Sequence, residues 1–152
     1  MLQTLFRRLR GRGTWMSETE IARSELTEEE HGKILFILSA LLSKLEAEAI
    51  FLINRNGQEI ASSGRSGDYD GRSLASLGAA SVAATHGLAR LLGEREFCSV
   101  THRGERKSLH IAALADEAVL LIVTDVDAGH VEESTLRRAG MILADILEKS
   151  RR

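Results

Sequence analysis

The sequence contains no proline and a single cysteine, Cys98, among its 152 residues. Since proteins carry about 5% proline on average, turns in this chain must depend on its 13 glycines and on Asn, Asp and Ser. One cysteine cannot form an internal disulfide, and this usage is typical of a reducing compartment. A lone cysteine in a strand usually behaves as a small apolar residue, so we expect Cys98 to be buried.

Aromatic residues and positive charge are also scarce. Phe, Trp and Tyr make up 4% of the chain, and the net charge is -2. Nucleic-acid binders combine a basic field with stacking platforms, so this composition argues against that class. The longest apolar runs, Ile34–Leu42 and Ala118–Val123, are far shorter than the roughly 20 residues that span a bilayer. No long apolar stretch follows the N-terminal arginines, so we expect no signal peptide and a cytoplasmic protein.

The first 15 residues differ in charge from the rest of the chain. They hold four arginines and no acid, whereas the remainder holds 16 Lys and Arg against 22 Asp and Glu. Apolar residues in this segment recur at helical spacing, which predicts an amphipathic helix ended by Gly11 and Gly13. The apolar residues are Leu2, Leu5, Phe6 and Leu9.

This segment has three interpretations from sequence. A basic amphipathic helix is typical of weak membrane contact or of docking to a partner. The alternatives are a flexible tail, or leader residues before a true start at Met16. In each case residues 1–26 are expected to form a basic amphipathic segment and polar linker, and residues 27–150 the folded domain.

The folded part begins with a helix and a hairpin. Thr27 followed three positions later by Glu30 predicts a capping box, and Ile34, Leu38 and Leu41 mark the buried stripe of the helix. Two strands follow around Asn56-Gly57, which is typical of a two-residue turn with positive φ at both positions. Asp70 or Ser73 can cap the next helix, and Gly93 is placed to end it.

Three more strands and a helix complete the pattern. The strands are "FCSVTHR", "KSLHIAAL" and "AVLLIVTD", and the last is continuously apolar and therefore predicted to be central. A helix follows over 132–149, with Leu136, Leu143 and Leu147 on one stripe and Ala139, Ile142 and Ile146 beside it. The predicted fold is α+β, in the order αββαβββα, with a five-stranded antiparallel sheet flanked by helices on both faces.

Residue patterns that support catalysis or cofactor binding are missing. There is no glycine-rich phosphate loop, so the chain is not expected to be a nucleotide hydrolase. Five histidines occur, of which His102 and His110 are candidates to face each other across a hairpin, but two ligands do not make a metal site. We predict no catalytic residues, no metal and no cofactor.

The segment Ser73–Glu94 combines helical periodicity with many small residues. Its leucines form one stripe with Ser81 and Thr85, and this stripe is predicted to pack on the sheet. A neighbouring face is nearly flat and is predicted to be a partner or dimer interface. That face comprises Ala75, Ala79, Val82, Ala83, His86, Gly87 and Arg90. The alternative is that alanine is simply the best helix former and that this face meets the protein's own sheet.

Four stretches together resemble the Roadblock / dynein-light-chain family, and within it the bacterial gliding-motility GTPase regulators. They are "FLINRNGQEIASSG", "SLASLGAASVAATHGLARLLGE", "THRGERKSLHIAAL" and "VLLIVTD". The resemblance implies a five-stranded sheet between helices and a homodimer formed through the central helix, with the sheets of the two subunits joined.

The same resemblance implies that the homodimer binds a small Ras-like GTPase. It further implies that the dimer stimulates GTP hydrolysis without an arginine finger and so controls cell polarity or motility. Arg90 and Arg95 are then expected to contribute to binding rather than to transition-state charge. Two alternatives stay open: a scaffold of the same fold that binds a GTPase without activating it, and a small-molecule sensor domain.

Overall fold

The computed structural model describes residues 25–65, 69–114 and 118–152, together with two short strands near the beginning of the chain. The strands are β1 (Phe6–Arg8), β2 (Trp15–Ser17), β3 (Ala49–Asn54), β4 (Glu59–Gly64), β5 (Ser99–Arg103), β6 (Lys107–Leu114) and β7 (Ala118–Asp125). The helices are α1 (Glu28–Lys44), α2 (Gly71–Leu91) and α3 (Glu133–Lys149). From α1 onward the order is αββαβββα, which confirms the predicted fold class.

The N-terminal segment contains strands instead of the predicted helix. β1 pairs antiparallel with β2, and Arg7 lies opposite Met16 in this pairing. The helical prediction is therefore wrong at Phe6–Arg8. An isolated helix shorter than about 12–15 residues is marginal in water, because nucleation costs more than a few turns recover. Leu2, Leu5 and Leu9, on which the prediction rested, lie outside the described residues.

Helix α1 begins where its capping box predicts. The Thr27 side chain accepts a hydrogen bond from the Glu30 backbone N–H at 3.1 Å, and the Thr27 N–H donates to Glu30 Oε2 at 2.8 Å. Two of the N–H groups that a helix start leaves unpaired are satisfied in this way. The predicted stripe is confirmed, since Ile34, Leu38 and Leu41 are buried.

The turn between β3 and β4 is longer than the predicted two-residue turn. It spans residues 55–58, and of its two central residues only Gly57 has positive φ, at 81°. The side chain of Asn54 stabilises this turn. Its Oδ1 accepts hydrogen bonds from the N–H groups of Asn56 and Gln58 at 3.0 and 2.9 Å. A Cβ on Gly57 would lie 2.8 Å from Ser76 Cα, so the turn packs directly on α2.

The five-stranded sheet has the order β4-β3-β7-β6-β5, with every pairing antiparallel. β7 lies in the centre and is buried at every position except Asp125, as its unbroken apolar run predicts. β4 and β5 are the edge strands.

Alternate residues of each strand contribute to two separate cores. On one side of the sheet, Leu52, Leu120 and Ile122 pack with α1 and α3. On the other side, Phe51 and Leu121 pack with α2. The described helices therefore cover both faces of the sheet, as predicted.

Helix α3 confirms its predicted stripe. Leu136, Ala139 and Leu143 are buried, and Ile146 and Leu147 pack against the same core. Ile142, which was predicted to lie beside the stripe, is 54% exposed.

Candidate partner-binding face of the second helix

Helix α2 is fixed at its start by Asp70. The Asp70 carboxylate accepts hydrogen bonds from the Ser73 hydroxyl at 2.7 Å and from the Arg72 backbone N–H at 3.0 Å. These bonds stabilise the ionised form, so they lower the pKa of Asp70 below its ordinary value, with Ser73 as the larger cause. Of the two predicted caps, the structure thus selects Asp70. At the other end, α2 stops two residues before Gly93.

The inner face of α2 is made of small residues. Ala75, Gly78, Ala79, Val82 and Ala89 are buried. A Cβ on Gly78 would lie 2.8 Å from a Leu121 methyl carbon, so the helix axis approaches the sheet as closely as a glycine permits. The small residues therefore bring this helix close to its own sheet.

This arrangement corrects part of the predicted interface. Ala75, Ala79 and Val82 were predicted to meet a partner, but they are buried in the α2-side core of the same chain. The physical reason is size: the sheet presents bulky side chains such as Phe51 and Leu121 on this side, and only small residues fit between them and the helix backbone. The alternative stated from sequence, in which the small face meets the protein's own sheet, holds for these three residues.

The outer face of α2 carries the leucines that were predicted to be buried. Leu77, Leu88 and Leu91 are 70%, 56% and 83% exposed, and Leu92 just beyond the helix is 73% exposed. The prediction that this stripe packs on the sheet is wrong at these four positions. We refer to Leu77, Leu88, Leu91 and Leu92 as the leucine face.

The leucine face is a continuous apolar surface because of its spacing. Leu88 follows Leu77 by 11 residues, and Leu91 follows Leu88 by 3 residues. In a helix with about 3.6 residues per turn, these intervals place the three side chains along the same side of the helix. The exposed Ala80 and Ala84 lie between them on the same line. Monomeric proteins seldom leave such a contiguous apolar surface in water, so this face is the candidate functional site.

The other predicted interface residues border the leucine face. Ala83, Gly87 and Arg90 are exposed, and His86 is partly buried. These four positions remain available to a partner. The sequence showed the leucines at helical spacing, but periodicity alone did not tell which of the two stripes faces the sheet.

Beyond α2, the chain forms a cleft against α3. The cleft has a volume of about 550 Å³, and Arg95, Cys98, Arg137 and Met141 are among its lining residues. Cys98 is exposed, so the prediction of a buried cysteine is wrong. The residue precedes β5 and lies in a loop rather than inside the sheet.

An ion pair holds this loop to the β3–β4 turn. An Arg55 guanidinium nitrogen lies 2.9 Å from Glu96 Oε1, and both side chains are largely shielded from solvent. The bond joins the β3–β4 turn to the loop that precedes β5.

A second apolar groove lies between α1 and α3 on the opposite side of the sheet. Its volume is about 670 Å³. Its exposed apolar residues include Phe36, which is 77% exposed, and Ile142. Charged residues at its edges are already paired within their own helices, as Lys33 with Glu29 at 2.7 Å and Lys149 with Asp145 at 2.8 Å.

A polar cluster surrounds His110 on β6. Its Nδ1 lies 3.0 Å from Thr101 Oγ1, and its Nε2 lies 3.2 Å from Thr124 Oγ1. Burial, and to a smaller degree the charge of His130, lowers the pKa of His110 below its ordinary value. His102 pairs with Leu109 rather than with His110, so the predicted opposition of the two histidines is wrong.

Within the described part of the chain, no group of three His, Cys, Asp or Glu side chains is arranged to hold a metal ion. In the same part, no helix is both long enough and apolar enough to cross a bilayer.

Comparisons with known proteins place these features in a family. The Roadblock/LC7 domain profile matches residues 33–124. Among solved structures, the chain is similar to Myxococcus xanthus MglB, with 35% identity, a TM-score of 0.75, and coverage of 82% of this chain and 95% of that one. No curated protein sequence matches the chain significantly.

Two further solved structures give the same result. One is the gliding protein MglB from Thermus thermophilus, with 30% identity and a TM-score of 0.74. The other is described as MglB with a tetrameric arrangement, with 30% identity and a TM-score of 0.75. Each alignment covers 82% of this chain and 95% of the other. The family resemblance inferred from sequence is confirmed.

Proposed function

Because the chain belongs to the Roadblock/LC7 family, we propose that it is a homodimeric regulator of a small Ras-like GTPase of the MglA type. It binds the GTPase in the cytoplasm and stimulates GTP hydrolysis, and in this way it controls cell polarity or gliding motility. The proposal assigns the chain no catalytic residue, metal or cofactor of its own. The observation that supports this proposal is the similarity to Myxococcus xanthus MglB, which has 35% identity and extends over 95% of the MglB chain.

The leucine face supports the homodimer. Leu77, Leu88 and Leu91 lie on one line of α2 and are more than half exposed in the single chain. A two-fold axis beside α2 would place this line against its copy, and a self-complementary apolar stripe is the usual basis of such an interface. The tetrameric arrangement of one similar MglB structure is consistent with self-association in this group of proteins.

The residues that border the leucine face define the expected contact with the GTPase. Ala83, Gly87 and Arg90 stay accessible beside the proposed dimer contact. The small residues Ala83 and Gly87 allow a partner backbone to approach α2 closely. Arg90 supplies a cation at the edge of this contact. Arg90 and Arg95 then stabilise the complex, while the GTPase provides its own catalytic groups.

The experiment that tests this function is single-turnover GTP hydrolysis by an MglA-type GTPase of the same organism, with and without a stoichiometric amount of this chain. We expect acceleration by the wild-type chain. We also expect that Arg90→Ala and Arg95→Ala weaken binding but, at saturating concentration, change the hydrolysis rate by less than about 10-fold. A trans-acting arginine finger contributes roughly 10³–10⁵-fold, so a loss of that size would refute the finger-free mechanism.

A pull-down carried out beside the hydrolysis assay distinguishes a GTPase activator from the scaffold alternative. A pull-down that recovers the GTPase without any acceleration of hydrolysis would make the chain a scaffold. Absence of both binding and acceleration would leave the fold intact but remove the proposed partner.

A further inference from the structure

We propose that α2 pairs with the α2 of a second copy in the antiparallel direction, in a register that seats Leu91 of each copy in a pocket beside Leu74 of the other. This pairing rests on the homodimer proposed above, and it adds a direction, a register and a receiving site. Three observations support it: the spacing of residues on the outer side of α2, the sizes of those residues, and a pocket at one end of the helix.

The outer side of α2 carries a heptad stripe. Its residues are separated by 3, 4, 3, 4 and 3 positions, which is the interval pattern of helices that pack along their lengths. The heptad stripe comprises Leu74, Leu77, Ser81, Ala84, Leu88 and Leu91. Each of these residues is exposed or half-buried in the single chain. A second helix can therefore lie along the stripe for about 25 Å, at about 1.5 Å for each residue.

The heptad stripe reads the same in both directions, with leucines toward its two ends and small residues at its centre. A two-fold axis through the centre brings Ser81 of one copy opposite Ala84 of the other, and the reverse contact forms at the same time. The small side chains allow the two helix axes to approach closely at this point. On either side of the centre, Leu77 of one copy then lies opposite Leu88 of the other.

A pocket decides the direction of the pairing. It has a volume of about 390 Å³, lies beside the start of α2, and has Leu74, Leu109 and Val123 among its lining residues. The far end of α2 instead presents protruding side chains, since Leu91 and Leu92 are 83% and 73% exposed. A parallel pair would place pocket beside pocket and leucines beside leucines. An antiparallel pair seats the leucines of each copy in the pocket of the other.

The charges at the two ends of α2 agree with this direction. The pocket is also lined by Arg103 and Lys107, and Lys107 is already paired with Asp125 at 3.1 Å. The exposed Glu94 follows the leucines at the end of α2. The antiparallel register brings Glu94 of one copy toward Arg103 of the other. This adds a modest attraction at the rim of the pocket, because both groups stay near water.

Cross-linking between single-cysteine variants tests the register. Cys98 is the only cysteine, so Cys98→Ser provides a background without cysteine. In that background, a mixture of Leu77→Cys and Leu88→Cys should give a cross-linked dimer with a short bis-maleimide, because the two positions face each other. Either variant alone should not cross-link, since its own two copies lie 11 residues apart along the helices, which is about 16 Å.

Two neighbouring alanines test the centre of the register. Ala84 lies on the heptad stripe and Ala83 does not, although both are exposed. Ala84→Leu should raise the dissociation constant of the proposed dimer at least about fivefold, because the added bulk separates the helix axes. Ala83→Leu is the matched control and should leave the constant within about twofold. Sedimentation equilibrium measures both constants.

Three results would overturn the proposal. The first is efficient cross-linking of Leu77→Cys with itself, which would indicate a parallel pair. The second is a mixture of Leu77→Cys and Leu88→Cys that does not cross-link. The third is an equal effect of Ala83→Leu and Ala84→Leu on the dissociation constant.

The hydrolysis assay distinguishes a failure of the register from a failure of the proposed function. If the cysteine variants do not cross-link but still accelerate GTP hydrolysis, the register is wrong and the regulation of the GTPase stands. If the mixture cross-links as expected but the wild-type chain does not accelerate hydrolysis, the register is supported and the proposed function is wrong.

Discussion

The two sides of the sheet are covered in opposite ways. On the side of α1 and α3, two helices contribute large residues to the core, such as Ile34, Leu38 and Leu143. On the other side a single helix contributes small residues, such as Ala75 and Ala79, and the bulk comes from the sheet. The helix with small inner residues is also the helix whose leucines face solvent.

This difference explains why α2, rather than α1 or α3, is the candidate partner surface. Helices α1 and α3 bury large apolar side chains in the core, although Phe36 and Ile142 stay exposed at the groove between them. Helix α2 meets its sheet with alanine and glycine, so Leu88 and Leu91 are left on the outside. Covering them against a second copy would remove apolar surface worth roughly 25 cal/mol for each Å².

The largest expected effect concerns the inner face of α2. We expect Ala79→Glu to reduce the free energy of unfolding by roughly 3–5 kcal/mol, because it would place an unpaired carboxylate in the core. Ala83→Glu, one turn further along and exposed, should change it by less than about 0.5 kcal/mol. Urea denaturation of the two variants measures both. Equal stabilities would mean that the inner face is assigned wrongly.

The next effect concerns the leucine face. Leu88→Glu combined with Leu91→Glu should leave the chain folded but raise the dissociation constant of the proposed dimer by roughly 30-fold or more, as for residues at the centre of an interface. Phe36→Glu is the control, since Phe36 is also a large apolar residue that is more than half exposed, on the other side of the sheet. Sedimentation equilibrium measures the dissociation constants. If Phe36→Glu dissociated the dimer and the double variant did not, the interface would lie on the α1 side.

A smaller effect is expected at the N-terminal cap of α1, on the other side of the sheet. Thr27→Ala removes the side chain that caps α1 and should lower the free energy of unfolding by about 1 kcal/mol. Thr27→Ser keeps a hydroxyl at the same position and should restore most of the loss. Thermal or urea denaturation can compare the three proteins. A serine variant as unstable as the alanine variant would contradict a capping role.

The smallest effect is a dependence of stability on pH. The pKa of His110 is lowered in the folded chain by burial. The unfolded chain therefore binds the proton more readily, and stability should decrease as the pH falls below the ordinary histidine pKa of about 6.5. His110→Gln should flatten this dependence, whereas His102→Gln on exposed β5 should not. Urea midpoints at several pH values between neutral and mildly acidic provide the measurement, and parallel curves for all three proteins would refute the assignment.

Much of the fold follows from local sequence signals. Thr27 and Glu30 predicted the start of α1, and the apolar run of β7 predicted the centre of the sheet, because capping and burial are encoded within a few residues. The β3–β4 turn was predicted with the wrong geometry, since it spans four residues with only Gly57 at positive φ, and the Asn54 side chain adds hydrogen bonds to the N–H groups of Asn56 and Gln58. A dipeptide pattern does not contain that information.

The face of α2 was the main error, and its cause is not local. Alanines and leucines both recur with helical period, so the helix alone is compatible with either orientation. The orientation is decided by Phe51 and Leu121, which lie on two other elements and leave room only for small residues. An interface on α2 remains a prediction, and which face of α2 is left exposed could be seen only from the packing of the sheet.

The central claim is that a dimer formed through the leucine face activates a GTPase. The most direct test measures single-turnover GTP hydrolysis by the MglA-type GTPase at increasing concentrations of three proteins: wild type, the Leu88→Glu and Leu91→Glu double variant, and Phe36→Glu. We predict that wild type and Phe36→Glu accelerate hydrolysis equally and that the double variant, though folded, does not. Full acceleration by a monomeric double variant would contradict the claim.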